Sequence, residues 1–382
     1  MNPGLRLPGP HKNALVVISV AIAMTALFAI SYSLVLGRAT PHRIIVGLVG
    51  APDHEQPLLT ALEQATEHGM VFHPYPSATA AEEAIDQQSS YAALVLGHGA
   101  PRLLVSSASG YAVARLLEQA VEQLTLKTGL RIDLVDLHPL PPSDPQGLVS
   151  FYLTLASSIL GFVTMFQLRA NAPGLGFRNW LAAIAVLAVA GGLVLASVAD
   201  PLIQALHGPF PELWLATGTE VAVAALFAST MLVLVHRWAI VPTWGLFVIL
   251  GNTSSGGAVA QPLLPPFYAF IGRFLPPGAT VTIVRTAVYF RRDQHLEPFI
   301  VQGIWLACLL TALVVLTRTL RREPGTLPGQ FPGKPARWLT ARASTPASTA
   351  RVSAGSITSS ISNAIAVLTA LPRAYCSATS SS

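Results

Sequence analysis

Apolar positions along this chain form long unbroken runs in some regions and short alternating runs in others. Six long runs reach or approach the length that crosses about 30 Å of hydrocarbon. They cover residues 13–37, 148–168, 180–199, 213–235, 238–250 and 298–317. The fifth is short, contains Pro242 and opens on Trp238, a residue suited to a membrane interface. Residues 39–147 carry the other pattern. There "RIIVGLVG", "MVFHPYP", "YAALVLG", "RLLVSSAS" and "RIDLVDLHPL" read as strands. Helical "QPLLTALEQATEHG", "ATAAEEAIDQQ" and "GYAVARLLEQAVEQLTLKTG" lie between them. Such alternation predicts a small α/β layer with a core of its own. "PLPPSDPQG" is then a stiff polar connection into the second run. The predicted fold is an α-helical polytopic membrane protein of six transmembrane helices, with an extracellular α/β domain inserted between the first two.

Composition agrees with a bilayer as the solvent for most of the chain. Of 382 residues, 52% are hydrophobic and only 11% charged, far from ordinary globular usage. The formal charge of +5 sits largely beside apolar runs and in the tail, so it calls for no nucleic-acid partner. Cys308 lies inside an apolar run and Cys376 in the tail, offering neither a disulfide framework nor a metal cluster. Gly37 and Ala39 loosely fit a signal cleavage site, but the first apolar stretch is much longer than a signal core of roughly 7–15 residues. It reads as an uncleaved anchor. From about Glu323 the chain is Pro, Gly, Ser, Thr and Ala with scattered Arg, the composition of a disordered tail.

Basic residues set the expected orientation. With a cytoplasmic amino terminus, residues 1–12, Arg6, Lys12, Arg169, Arg178, Arg237, Arg318, Arg321 and Arg322 all lie inside. The opposite short loop, residues 200–212, holds no Lys or Arg. Arg38 and Arg43 run against this at the first helix, while the later loops agree. Both termini, including the tail 318–382, are expected in the cytoplasm of a bacterial cell, with the bundle 148–317 in the plasma membrane.

No catalytic or metal residues emerge. A phosphate loop is missing, since "GNTSSGG" lacks the lysine and follows a membrane run. His98 and His138 are isolated loop histidines, and Ser106, Ser107 and Ser109 have no nucleophile-elbow setting. Glu220 is the acidic residue well inside an apolar run, on the order of 10 Å deep. It is either a substrate- or proton-facing carboxylate or a structural one bonded to Ser or Thr on a neighbouring helix. Ser157 and Gly161, with Gly191 and Gly192 on the next run, make small-residue faces that suit close helix packing within the chain or across a dimer. Asn252 heads an N-x-S sequon.

The segment "GNTSSGGAVAQPLLPPFYAFIGRFLPPGATVTIVRTAVYF" is too apolar for a solvated loop and too rich in proline for one straight helix. Breaks at Pro265–Pro266 and Pro276–Pro277 leave "FYAFIGRFL" and "ATVTIVRTAVYF" as two short helices. Irregular backbone at membrane depth survives only when buried by protein or lining a wet cavity. The segment, residues 256–290, is therefore expected to form a re-entrant hairpin at the outer mouth of the bundle, or to rest on the interface. It resembles the outer-gate region of ABC type-2 permeases, in particular the phage-infection-protein branch and its actinobacterial relatives. The matching residues are Ser254, Ser255, Gly256, Gly257, Leu264, Pro265, Phe267, Leu275, Pro276, Gly278 and Arg285.

That resemblance implies export of a hydrophobic or amphipathic substrate, a homo- or heterodimer, and a separate ATP-binding subunit, with no cofactor on this chain. Ser254, Ser255, Gly256, Gly257, Pro265, Phe267, Pro276, Pro277, Gly278, Arg285 and Glu220 become the expected gate and substrate path, with Arg285 neutralising Glu220 or a helix end. Against ATP coupling, "MNPGLRLPGPHK" is unsuited to an amphipathic helix and "RANAPGLGFRNW" leaves little room for a docking helix. A non-transporting scaffold or receptor that uses the α/β domain is the alternative.

Overall fold

A computed structural model describes residues 9–37, 41–50, 56–65, 69–97, 100–129 and 131–320. The expected disordered tail, Cys376, His98 and the Gly37-to-Ala39 cleavage site fall wholly or partly outside these residues.

The chain opens with α1 (Gly9–Leu36) and enters a five-stranded sheet. Its elements are β1 (Ile44–Val49), α2 (Gln56–Ala65), β2 (Met70–Tyr75), α3 (Ala78–Asp86), β3 (Ala92–Val95), β4 (Arg102–Val105), α4 (Tyr111–Thr128) and β5 (Asp133–Asp136). The strand order is β2-β1-β3-β4-β5, parallel throughout except between β3 and β4. That exception follows from chain length. Only six residues join β3 to β4, enough for an antiparallel return, whereas each parallel pair is bridged through a helix. Ile44, Val46, Leu94, Leu103 and Val105 pack against Leu59, Leu62, Val113 and Leu117 on one face. On the other, α3 buries Ala81 and Ile85 over Val49, Ala93 and Leu104.

The helical part follows with α5 (Val149–Asn171), α6 (Phe177–Ser197), α7 (Phe210–Leu234), α8 (Ile240–Trp244), α9 (Pro266–Gly272), α10 (Pro276–Tyr289) and α11 (Glu297–Leu320). Among the described residues, five helices are long and apolar enough to cross a membrane: α1, α5, α6 with its π-helical extension Val198–Leu202, α7 and α11. The molecule thus has the make-up of a polytopic helical membrane protein carrying a small α/β layer. Apolar side chains cover the outer faces of α1, α6 and α11, among them Val17, Ile22, Val186, Val194, Ile300 and Ile304. The centre is α7, which buries small and polar residues such as Ala216, Thr217, Gly218 and Glu220.

Two sequence expectations need correction. The run 238–250 is not among these five long helices: a 3₁₀ turn at His236–Trp238 leads into the short α8, and a π-helical stretch, Gly245–Asn252, completes it. The "PLPPSDPQG" connection does not hang loose from the fold. Asp144 is buried, and its carboxylate accepts from the backbone N–H of Leu148 (2.8 Å) and Val149 (3.1 Å), capping α5. Nor does the Gly/Pro segment belong to the bundle alone. Val259, Ala260, Leu263 and Leu264 lie in the core of the sheet layer, and the His42 N–H donates to the Pro262 carbonyl (2.7 Å). The layer and the bundle share this strand of chain.

Candidate functional site

The prolines do divide the hairpin as the sequence predicts. Pro265 is the N-cap of α9, and Pro276 and Pro277 start α10, where a missing N–H costs nothing. The two helices bend by 75° relative to each other. Gly272 and Gly278 make this corner possible. A Cβ on Gly272 would lie 1.9 Å from the Ser254 carbonyl oxygen, and one on Gly278 would lie 2.1 Å from that of Gly272. Ser254, Ser255, Gly256, Gly257, Pro276, Pro277 and Gly278 are all buried, and of these Gly278 lines a cleft beside α10. The two helices then part company. Phe267 and Phe270 on α9, and Phe274 just beyond it, point outward, while α10 sinks Ile283 and Val284 among Leu153, Leu206, Leu213 and Ala216.

Beside α10 lies the most polar point of the bundle interior. Glu220, on α7, is fully buried. Ser158 of α5 donates to its Oε1 (2.6 Å), and Thr280 of α10 and Gln302 of α11 donate to its Oε2 (2.8 and 3.0 Å). The Gln302 amide also donates to the Pro276 carbonyl (3.0 Å) and touches the Thr280 hydroxyl. Four helices thus meet on one carboxylate. Ser158, Thr280 and Gln302 were not singled out from the sequence. Each shows there as a polar residue in an apolar stretch, the usual mark of an interior-facing position.

The small-residue faces are consumed within the chain. A Cβ on Gly161 would lie 2.5 Å from the Val221 carbonyl oxygen, and one on Gly192 would lie 2.7 Å from the Gly218 backbone. Gly161 and Gly192 let α5 and α6 close on α7, Gly191 faces the Leu160 side chain, and Ser157 bonds the Leu153 carbonyl within its own helix. A dimer through that face of α5 is not what the fold uses. Asn252 is also corrected: its amide is buried and donates to the Tyr32 hydroxyl (2.8 Å), out of reach of a glycan.

The expected pairing of Arg285 with Glu220 does not occur. The Arg285 Nη2 donates to the Gly256 carbonyl (2.7 Å), and among the described residues no carboxylate lies within ion-pair distance of it. The cause is azimuth. Arg285 lies five residues beyond Thr280, about 140° around α10 from the face that meets Glu220. Its guanidinium instead approaches Tyr91 of the sheet layer. Burial raises the Tyr91 hydroxyl above its ordinary pKa against the opposing pull of Arg285 and then Arg273, so it stays a donor.

Two further features lie nearby. His138 pairs with Asp86 (3.2 Å), packs on Phe290 of the bundle (ring centroids 4.6 Å apart) and meets the Ser106 hydroxyl at 3.4 Å. Burial lowers the His138 pKa, with Asp86 and Asp136 pulling the other way. Ser106 is itself buried and already accepts from Ser109 (2.8 Å), so the trio reads as a tie between layer and bundle. The other feature is an open apolar groove of about 670 Å³ between α1, α5 and the α8 segment. Phe28, Tyr32, Phe151, Tyr152, Ile159 and Trp244 line it.

Comparison with protein-family models, with curated proteins and with solved structures finds no match to this chain.

Proposed function

We propose that this chain is a permease-like membrane subunit of the ABC type-2 class that handles a hydrophobic or amphipathic substrate and moves it outward across a bacterial plasma membrane. The aromatic groove carries the proposal. It offers an apolar guest a half-enclosed berth against α5, a helix that also reaches the buried Glu220 knot. A groove lined by aromatic and aliphatic side chains with few polar groups suits a lipid-like tail. The resemblance of residues 251–290 to an outer gate supports the same reading. In that frame α9 and α10 are the gate hairpin, with α9 offering its phenylalanines to the interface and α10 seated in the bundle. The basic residues support the orientation: Arg169, Arg178, Arg237 and Arg318 fall at the helix ends that do not connect to the sheet layer, in keeping with a layer outside and both termini inside. ATP hydrolysis would belong to a separate subunit.

Filling the groove tests the reading. Ile159→Trp, a surface-neutral change in the bundle's fold, is expected to abolish release of a fluorescent amphiphile from cells that depend on this protein. Unchanged release from a normally folded variant would overturn it.

A second reading, a scaffold or receptor working through the α/β layer, is favoured by one observation. The connection between α5 and α6, residues 172–176, is too short to hold a docking helix for an ATPase. Deleting the layer cannot separate the readings, because Val259, Ala260, Leu263 and Leu264 would lose their cover. Copurification can. A stoichiometric phosphate-loop ATPase supports the permease, whereas envelope proteins without any ATPase support the scaffold.

A further inference from the structure

A cleft of about 270 Å³ opens where the sheet layer meets α9, α10 and α11, and its walls are built for negative charge. Arg285 and Arg273 both line it, with Glu297 as the sole lining carboxylate. Neither arginine has a carboxylate within ion-pair distance among the described residues. Arg285 spends one N–H on the Gly256 carbonyl and has the rest of its fork to offer. Tyr91 adds a phenol held in its protonated, donating form.

Gln88 supplies an independent sign. It lines the same cleft, and its side-chain Nε2 is buried with no acceptor. Its backbone has φ 57°, just past the end of α3, in the left-handed region that favours glycine. The chain therefore holds a side-chain-bearing residue in a conformation that glycine adopts more readily, and leaves its donor unanswered beside the cleft. A buried donor without a partner is a standing cost. One oxyanion in the cleft would answer Arg285, Arg273 and Tyr91 together, and a rotation of the Gln88 side chain would bring its amide to the same anion.

We propose that this cleft binds a phosphate-class oxyanion, held by Arg285 and Arg273 with Gln88 and Tyr91 completing the donor set. Planar guanidinium forks match the oxygens of such an anion, and a site with several donors and little competing carboxylate selects for it. The anion is either free phosphate or the phosphate of a lipid headgroup. The proposal stands whether or not the chain transports anything.

The test uses the full chain in nanodiscs and reads thermal stabilisation, which ligand binding to the folded state must produce. One arm titrates inorganic phosphate into phosphatidylcholine discs at fixed ionic strength. The other compares phosphatidylcholine discs with discs containing phosphatidic acid. Stabilisation by inorganic phosphate identifies a free anion, and stabilisation by phosphatidic acid alone identifies a headgroup. In either case Arg285→Gln should weaken the apparent affinity on the order of 10- to 100-fold, the loss of charged hydrogen bonds. Gln88→Gly guards against a folding artefact. It relieves the left-handed strain, so it should melt at least as high as wild type and still lose affinity. General salting effects of phosphate act equally on wild type and variants and cancel in the comparison. No stabilisation in either arm, or equal stabilisation of wild type, Arg285→Gln and Gln88→Gly, overturns the proposal. Phosphate binding that survives Ile159→Trp while amphiphile release does not would keep the two claims apart.

Discussion

Glu220 and Arg285 sit on helices that touch, α7 and α10, yet the fold treats the two side chains in opposite ways. Glu220 is enclosed, and three donors from three other helices converge on it. Arg285 is half-buried, reaches only a carbonyl, and faces a cleft lined with further donors. A buried polar group that finds all its partners inside the protein serves the fold. One that is given a cavity and fellow donors of the same sign is left open to something from outside. The contrast shifts the functional interest away from the intramembrane carboxylate, the obvious residue in the sequence, to the seam between layer and bundle.

The contrast can be broken at several points. Glu220→Ala leaves the Ser158, Thr280 and Gln302 donors without their acceptor and should cost about 3 kcal/mol, read as a fall in melting temperature in nanodiscs. Gly161→Val drives a side chain into the Val221 carbonyl and should cost about 2 kcal/mol while leaving the cleft's anion response in place. A double-mutant cycle of Glu220→Gln with Gln302→Leu should return a coupling of about 1 kcal/mol, since the two side chains share a bond. Zero coupling would mean that the knot is a set of independent contacts.

The smallest effect concerns pH at the seam. Burial holds the folded His138 below its ordinary pKa, so the unfolded chain takes up a proton that the folded chain resists. Stability should therefore fall as pH drops through the ordinary histidine pKa toward the folded one, and be unaffected well above it. His138→Gln should flatten that slope in a melting series across mildly acidic pH.

Much of the architecture was legible from spacing alone. The strands and helices between Ile44 and Asp136 fall where their short apolar runs and helical patterns put them, and the prolines at 265 and 276 fall at real breaks. What failed to show was anything set by azimuth or by contact between distant segments. Glu220 and Arg285 looked like partners because sequence position reveals that both are polar in apolar surroundings, but not which way each faces. The Val259–Leu264 stretch looked like part of a membrane plug because its apolar character does not say which core it enters. Gln302, by contrast, is readable as an amide in an apolar run.

The most direct measurement is the unfolding free energy of Arg285→Met in phosphatidylcholine nanodiscs without phosphate. If Arg285 awaits a ligand, removing it forfeits one bond to a carbonyl and relieves an unanswered desolvation, so the variant should lie within about 1 kcal/mol of wild type. A loss as large as that of Glu220→Ala, about 3 kcal/mol, would show that Arg285 is another structural tie and that the cleft is only a gap in the packing.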